Sequence, residues 1–444
     1  MTHGTGDRLA DVARDAFVYG FPLVFNIEQI QRLATEGIGS TPRADLNSFG
    51  HTPRLAGPDD TFVTINNDTI YSMAGLDVSG GPVRLDVPDT DGRYYVLQFV
   101  DAWTNNFAYV GHRGTGTGAG SFLLVPPGWD GTPPDDARVI RLPSAVAVIV
   151  GRFAADGEDD LPAVRALQAG LRLTQTSPGL GIPAPDAAVP DDLAPFEKMR
   201  VWMQAFPPAP REGALLESFE QIGLLAAESP YVDPDPALAD ALRDGIAAGR
   251  ELLRTTAQHG PSPVQNGWTL TYHAFDYNLD FFEVGALDDP AWKLADGPAR
   301  LVERAVAALA GLWGNHGYEA AYAIAWLDGD GERLDGARRY QLRFASTPPV
   351  GAFWSVTMYD AEDFFLVANP IGRYSVGDRT PGLVAADDGS LTITVQHDEP
   401  GDPVARANWL PSPAGAFRPV LRMYEPDASV FDGGYELPPF VRVG

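Results

Sequence analysis

Two aspartates are the first candidates for chemistry. Asp68 lies in Asn66-Asn67-Asp68-Thr69-Ile70-Tyr71, the densest polar cluster on an otherwise β-patterned stretch. Asp101 closes the run RYYVLQFVD that begins at Arg93, and Trp103 and Asn105 follow it. A carboxyl group in an apolar cavity is pushed towards its neutral form, which suits proton transfer near neutrality. In this reading Asp68 and Asp101 are catalytic. Asn66 and Tyr71 anchor a substrate by hydrogen bonds, Trp103 offers a stacking surface and Asn105 an amide. If one pocket holds both carboxyl groups, their proximity raises one pKa and creates an acid and base pair. A Cα separation beyond roughly 15 Å rules that pair out, because two such short side chains cannot face one ligand. The competing reading is structural: Asn and Asp close turns with their own side chains, and an aspartate can simply end a strand.

The C-terminal part of the chain supplies further binding candidates. Arg373 lies in Asn369-Pro-Ile-Gly-Arg-Tyr-Ser and Arg422 stands two residues before Tyr424. An arginine fork holds a carboxylate, and a tyrosine hydroxyl donates to a developing oxyanion. The alternative for both arginines is an internal ion pair. Trp409 opens the loop WLPSP, and Trp354 belongs to an aromatic pair at the start of another long run; both are taken as substrate-facing. Asp360, at the exit of that run, reads as a strand terminator.

Other chemistries find less support. None of the seven histidines stands in H-x-H, H-x-x-x-H or H-E-x-x-H spacing, so no metal site is expected. Tyr272-His273-Ala-Phe-Asp276 offers a His and Asp pair, or a buried histidine. There is no G-x-S-x-G elbow. The glycine-rich stretch Gly111 to Ser121 lacks the strand–turn–helix context of a dinucleotide site and a phosphate-loop lysine, and reads as a hairpin loop or a lid. No cofactor is therefore expected. The chain has no cysteine, which excludes thiolate nucleophiles and disulfides. Only Lys198 and Lys293 are available for a Schiff base. With 59 acidic against 32 basic residues, the net charge of −27 repels nucleic acid and anionic membranes. No run approaches the roughly 18 apolar residues of a membrane span, and the start has no basic-then-apolar leader, so a cytoplasmic location is expected.

The elements that must position these residues follow from periodicity. Asp7 to about Glu36 has a helical pattern that Pro22 is expected to kink or split. From Asn47 to Arg152, short alternating runs (TFVTI, VRLDV, RYYVLQFVD, SFLLV, AVAVIVGRF) alternate with turn residues. Residues 156–334 read as a helical link, with GPARLVERAVAALAGLWG and YEAAYAIAWLD as one long helix broken near Gly314. The β pattern returns in 335–444. The two β regions look like copies: RYYVLQFVDAW at Arg93 matches AFWSVTMYDAE at Ala352, and GSFLLV at Gly120 matches GSLTITV at Gly389. The expected fold is α+β: an N-terminal helical segment (1–45), a first β-sandwich or jelly roll (46–155), the helical link, and a second, related sandwich.

The same residues carry a resemblance. NNDTIY (66–71) with RYYVLQFVD (93–101) resembles the domain-of-unknown-function family numbered 1254. FWSVTMYD (353–360), NPIGRYSV (369–376), DGSLTI (388–393) and NWLPSP (408–413) resemble its usual partner, numbered 1214. The resemblance implies β-sandwich domains flanking helices and brings no general activity with it. The expected function is a cofactor-independent acid–base enzyme, of hydrolase, lyase, isomerase or cyclase type, acting on a small, largely apolar molecule. The alternative is a non-catalytic binder of a small molecule or carbohydrate, and a homo-oligomer is compatible with either. A buried carboxyl with a strongly raised pKa favours the enzyme.

Overall fold

The computed structural model describes residues 5–60, 64–260 and 262–443. Thr61 to Val63, most of the alternating run expected at 61–65, lie outside the described residues, as does His3.

The first β unit uses seven strands: β1 (Thr69–Asp77), β2 (Val83–Val87), β3 (Tyr95–Asp101), β4 (Asn106–Gly111), β5 (Gly120–Val125), β6 (Arg138–Arg141) and β7 (Val146–Ala154). One sheet runs β1-β7-β3-β4, with Gly50–His51 added at the β1 edge. A second runs β2-β5-β6, with Arg172–Gln175 added beside β2. The second unit repeats this with β8 (Ala320–Ala325), β9 (Tyr340–Phe344), β10 (Trp354–Thr357), β11 (Ser375–Gly377), β12 (Leu391–Gln396), β13 (Trp409–Pro411) and β14 (Val420–Tyr424). Its sheets run β8-β14-β10-β11, with Trp268–Leu270 and then Val264–Gln265 added at the β8 edge, and β9-β12-β13, with Phe440–Arg442 added beside β9; the order is the same with seven added to each number. Even the exceptional parallel pairings correspond: β5 with β6, and β12 with β13. Each unit encloses one apolar core between its two sheets. Ile70, Leu97, Phe99, Phe122 and Ile149 belong to the first core, and Leu342, Trp354, Val356, Ile393 and Leu421 to the second.

Four longer helices complete the chain: α1 (Thr5–Thr35), α2 (Ala194–Ala205), α3 (Pro236–His259) and α4 (Pro298–Gly311). They share a core with Val146, Val148 and Val150, the outward positions of the first part of β7. The next two outward positions, Arg152 and Ala154, leave the helices and meet the second unit. One face of one strand is thus divided between two partners. That is why β7, VAVIVGRFA, is buried along its whole length.

Two expectations need correction. Pro22 does not divide the first helix, which runs unbroken from Thr5 to Thr35. The long helix expected to pass Gly314 stops at Gly311, and Ala320–Ala325 forms β8 in the centre of a sheet. A short Ala-rich apolar run fits either period, and here the hydrogen bonds to β14 decide. The stretch 156–334 therefore carries strands of both units as well as helices. Among the described residues no helix is long and apolar enough to cross a membrane.

Candidate functional site

The outer faces of the two central sheets pack against each other. Tyr94, Val96, Tyr109 and Ala154 of the first unit meet Ala320, Phe353 and Tyr424 of the second in one buried aromatic layer. The Tyr94 ring lies edge-on to Phe353 at 5.2 Å, and Phe353 stacks on Tyr424 at 4.1 Å.

Into this layer each unit contributes one copy of the same constellation. Asp68 immediately precedes β1 and Glu319 immediately precedes β8. Three residues on stand Tyr71 and Tyr322. Their register partners are Arg152 on β7 and Arg422 on β14. The acid, tyrosine and arginine of one unit thus recur in the other, facing it. The backbone agrees: Asp68 O accepts from Ala155 N at 3.4 Å, and Glu319 O accepts from Glu425 N at 2.8 Å, the corresponding bonds at the ends of β7 and β14.

Each acid reaches across to the other unit. The Glu319 carboxyl accepts from the Tyr94 hydroxyl through Oε1 at 2.7 Å, while its Oε2 is buried with no partner. Asp68 Oδ2 accepts from Ser355 Oγ at 2.7 Å and from the Tyr424 hydroxyl at 3.1 Å. Asn66 Nδ2 donates to the same Tyr424 oxygen at 2.9 Å. Burial pushes Glu319 up to about 8; the Glu425 charge adds to this, while the Tyr94 hydrogen bond, Arg113 and Arg152 oppose it. Glu425 holds φ +54, a left-handed value unusual for its residue type, and its Oε1 lies 2.7 Å from Nδ1 of the half-buried His112.

The two arginines hold no carboxylate. Arg152 donates to Gln98 Oε1 at 2.7 Å, Asn315 Oδ1 at 3.2 Å and the Trp313 carbonyl at 2.8 Å, with its guanidinium 5.3 Å above the Tyr71 ring. Arg422 donates to Thr357 Oγ1 at 3.1 Å and the Thr64 carbonyl at 2.9 Å. Tyr71 and Tyr322 keep accessible surface amid these fully buried neighbours.

The candidates read from sequence divide among several places. Asn66, Asp68, Tyr71 and Arg422 meet in the layer between the units. Asp101, Trp103 and Asn105 lie elsewhere. Asp101 pairs with Ala147 whereas Asp68 bonds Ala155, so about 25 Å of strand separates them. The expected carboxyl pair is thereby excluded. Asp101 accepts from Trp103 N (2.9 Å), Asn105 N (2.8 Å) and Asn105 Nδ2 (2.9 Å), closing a loop whose Thr104 has φ +67. Burial pushes Asp101 up to about 6 against the pull of those bonds. Trp103 is fixed by its own Nε1 to the Phe206 carbonyl, 2.8 Å. These residues line a cleft of about 10 Å³ beside Arg300, Arg304 and Glu212, the lower edge of what one water needs.

Trp354 fills the second core, 5.0 Å from Phe344, because it alternates with Ser355 along β10 and points the other way. Arg373 and Trp409 meet at the far end of the second unit. There Arg373 Nη1 donates to the Trp409 carbonyl at 3.0 Å and Trp409 Nε1 to the Gln396 carbonyl at 2.8 Å. Trp409 also borders a depression of about 200 Å³. Asp360 accepts from the backbone N–H groups of Glu362, Asp363, Phe364 and Phe365, which makes it the end-piece of its strand. His273 Nδ1 lies 2.6 Å from Asp276, whose other oxygen faces His316 at 3.4 Å. Among the described residues no group of three or more potential ligands is arranged for a metal ion.

Glu319, Arg152, Tyr94 and Tyr322 escaped the sequence reading. The available signal was the match of Glu319-Ala-Ala-Tyr322 to Asp68-Thr-Ile-Tyr71, obscured once that stretch was taken as helix.

Comparison with known proteins finds one family match in each β unit. Residues 46–175 match the family described as "Protein of unknown function (DUF1254)" and residues 319–428 that described as "Protein of unknown function (DUF1214)". The chain thus carries a match to each of the two families, one N-terminal and one C-terminal. It is similar to the VPA0106 protein from Vibrio parahaemolyticus, with 26% identity, a TM-score of 0.73, and coverage of 98% of this chain and 100% of that one. An uncharacterised protein from Burkholderia cenocepacia aligns over 99% of this chain and 94% of its own, at 13% identity and a TM-score of 0.45. No curated protein matches.

Proposed function

We propose that this DUF1254–DUF1214 protein is an acid–base enzyme, acting on a small, largely apolar organic molecule held between its two β units. Glu319 is the proton donor and acceptor, Asp68 its partner, and Tyr94 and Tyr424 the hydroxyls that orient them. Each unit is read as a β-sandwich of jelly-roll type whose outer sheet face forms one wall of the site. The observation that carries the reading is the state of Glu319. A buried carboxyl with one oxygen held by Tyr94 and the other unpartnered is set to give or take a proton at that free oxygen. Its raised pKa keeps a proton available at neutral pH. The aromatic surround of Tyr71, Tyr322, Phe353 and Tyr424 suits a flat or apolar substrate body.

The test is exchange of carbon-bound hydrogen for deuterium in D₂O across a panel of enolisable ketones, esters and lactones, followed by NMR. The wild-type protein is expected to exchange protons next to the carbonyl of at least one compound. Glu319→Gln and Asp68→Asn are each expected to lower that rate by about 100-fold or more. Exchange that is as fast in Glu319→Gln as in wild type overturns the assignment.

A further inference from the structure

Three buried arginines at the junction lack a carboxylate partner. Arg152 is 6% exposed, Arg418 6% and Arg422 4%. Each falls outside ion-pair reach of any carboxylate among the described residues, although the chain carries 59 acidic groups. Arg418 and Arg422 converge on Thr64, one on its hydroxyl and the other on its carbonyl. Arg418 Nε is buried without an acceptor among the described residues. Burial, with the nearby charge of Arg422 adding to it, pulls Arg418 down to about 10. Arg422 is the register partner of Tyr322 as Arg152 is of Tyr71, and the charges of both arginines oppose the upward push of burial on the Tyr322 hydroxyl.

The charges around them do not balance. Asp68 acts on Arg422 from beyond ion-pair range and already accepts two hydroxyl hydrogen bonds. Glu319 is held largely neutral at pH 7. Asp360 acts on Arg418, and its carboxylate is engaged by four backbone N–H groups. Arg379 has its own counter-ion in Asp156, donates to the Asp68 carbonyl at 3.0 Å and lays its guanidinium on the Phe353 ring. A buried cation without a counter-ion is costly, and the folded state tolerates it where a ligand supplies the missing charge. Stacking on Tyr71, Tyr359 and Phe364 occupies the guanidinium faces. The Nη groups of Arg152 and Arg422 already donate to protein oxygens, which leaves each Nε and the remaining Nη2 N–H for an oxyanion.

We propose that the junction binds an organic carboxylate, its charged group taken by Arg152 and Arg422, and its flat apolar body lying against Tyr71 and Tyr322, the rings of the layer that keep accessible surface. This rests on the location assigned above and adds the substrate class: the molecule that Glu319 protonates or deprotonates is an aromatic or unsaturated acid. Arg418 holds the local potential positive. The hydroxyls of Tyr71 and Tyr322 donate to the same carboxylate.

Calorimetric titration of the full chain with benzoate, with benzamide as its neutral counterpart, and with inorganic phosphate tests this. Benzoate is expected to bind saturably, at least about tenfold more tightly than benzamide, the factor for roughly 1.4 kcal/mol of charge-assisted bonding. Phosphate is expected to bind more weakly than benzoate, because it has no apolar body. Arg152→Lys and Arg422→Lys keep the buried charge and lose the fork; each is expected to weaken benzoate by about tenfold with an unchanged circular dichroism spectrum. Should a lysine variant not fold, Tyr322→Phe provides the check, with benzoate weakened and benzamide unaffected. Equal affinity for benzoate and benzamide, no benzoate binding, or benzoate affinity untouched in the folded variants overturns the proposal. Benzoate binding that persists while no compound exchanges protons leaves this proposal standing and removes the acid–base reading. Proton exchange without preference for the anion does the reverse.

Discussion

Two buried carboxyl groups of this protein have raised pKa values, and their surroundings assign them different work. Asp101 spends its oxygens on Trp103 and Asn105 of its own loop. Replacing it by alanine leaves three N–H donors of buried residues, Trp103 N, Asn105 N and Asn105 Nδ2, without this partner. The expected cost is about 2–4 kcal/mol of stability, read by urea unfolding, with benzoate binding at the junction unchanged. Glu319 keeps one oxygen free. Its replacement by glutamine keeps the shape and removes the titration, so proton exchange should be lost while the fold persists. Asn66, Asp68 and Tyr71 were readable because they share one dense polar motif, and Arg422 because it stands two residues before Tyr424. Glu319 and Arg152 stand alone among apolar neighbours, where nothing local separates a site residue from a surface charge. Tryptophans mislead for the opposite reason. Trp354 and Trp409 have the type that stacks on ligands, yet the alternation of β10 turns one into a core, and a carbonyl bond pins the other.

The strands explain why the two halves can share a site. Gly111 ends β4 opposite Val96, and Gly377 ends β11 opposite Ser355, so they are corresponding positions of the repeat. A Cβ at either would run into the carbonyl oxygen of the preceding residue on the partner strand, Tyr95 or Trp354. Gly111→Ala and Gly377→Ala are each expected to cost on the order of 3 kcal/mol in thermal or urea unfolding. A cost below about 0.5 kcal/mol at both would contradict the packing described. The paired runs at Arg93 and Ala352 made this repeat visible in sequence, since alternation survives divergence. β8 was not visible. Ala320–Ala325 is built largely of alanine, whose preference is helical, and only pairing with β14 and the strand Trp268–Leu270 makes it a strand.

The two units are joined by buried aromatic rings and hydrogen bonds that cross the junction, including Tyr94 to Glu319, Ser355 to Asp68 and Asn66 to Tyr424. Separating them would expose Arg152 and Arg422 together with that aromatic layer. A single cooperative unfolding transition is therefore expected, with tryptophan fluorescence and circular dichroism coincident; two resolved transitions would contradict it. Stability should also depend on pH in a set direction. Glu319 titrates near 4.5 when unfolded and near 8 when folded, so between these values the folded state binds more protons. Its contribution is complete below pH 4.5 and is lost as pH rises through 8, an effect on the order of a few kcal/mol. Asp101 adds the same sign between 3.8 and about 6. Unfolding free energy should fall from pH 5 to pH 9, and Glu319→Gln should flatten the upper part of that slope.

Infrared titration of the buried carboxyl in the full-length protein, wild type against Glu319→Gln, tests the acid–base assignment at its source. The account predicts a protonated-carboxyl C=O band in wild type at neutral pH that disappears with a midpoint near 8 and is missing from the variant. A spectrum in which all carboxyl signal is lost below pH 6, or in which the variant keeps the band, would contradict it.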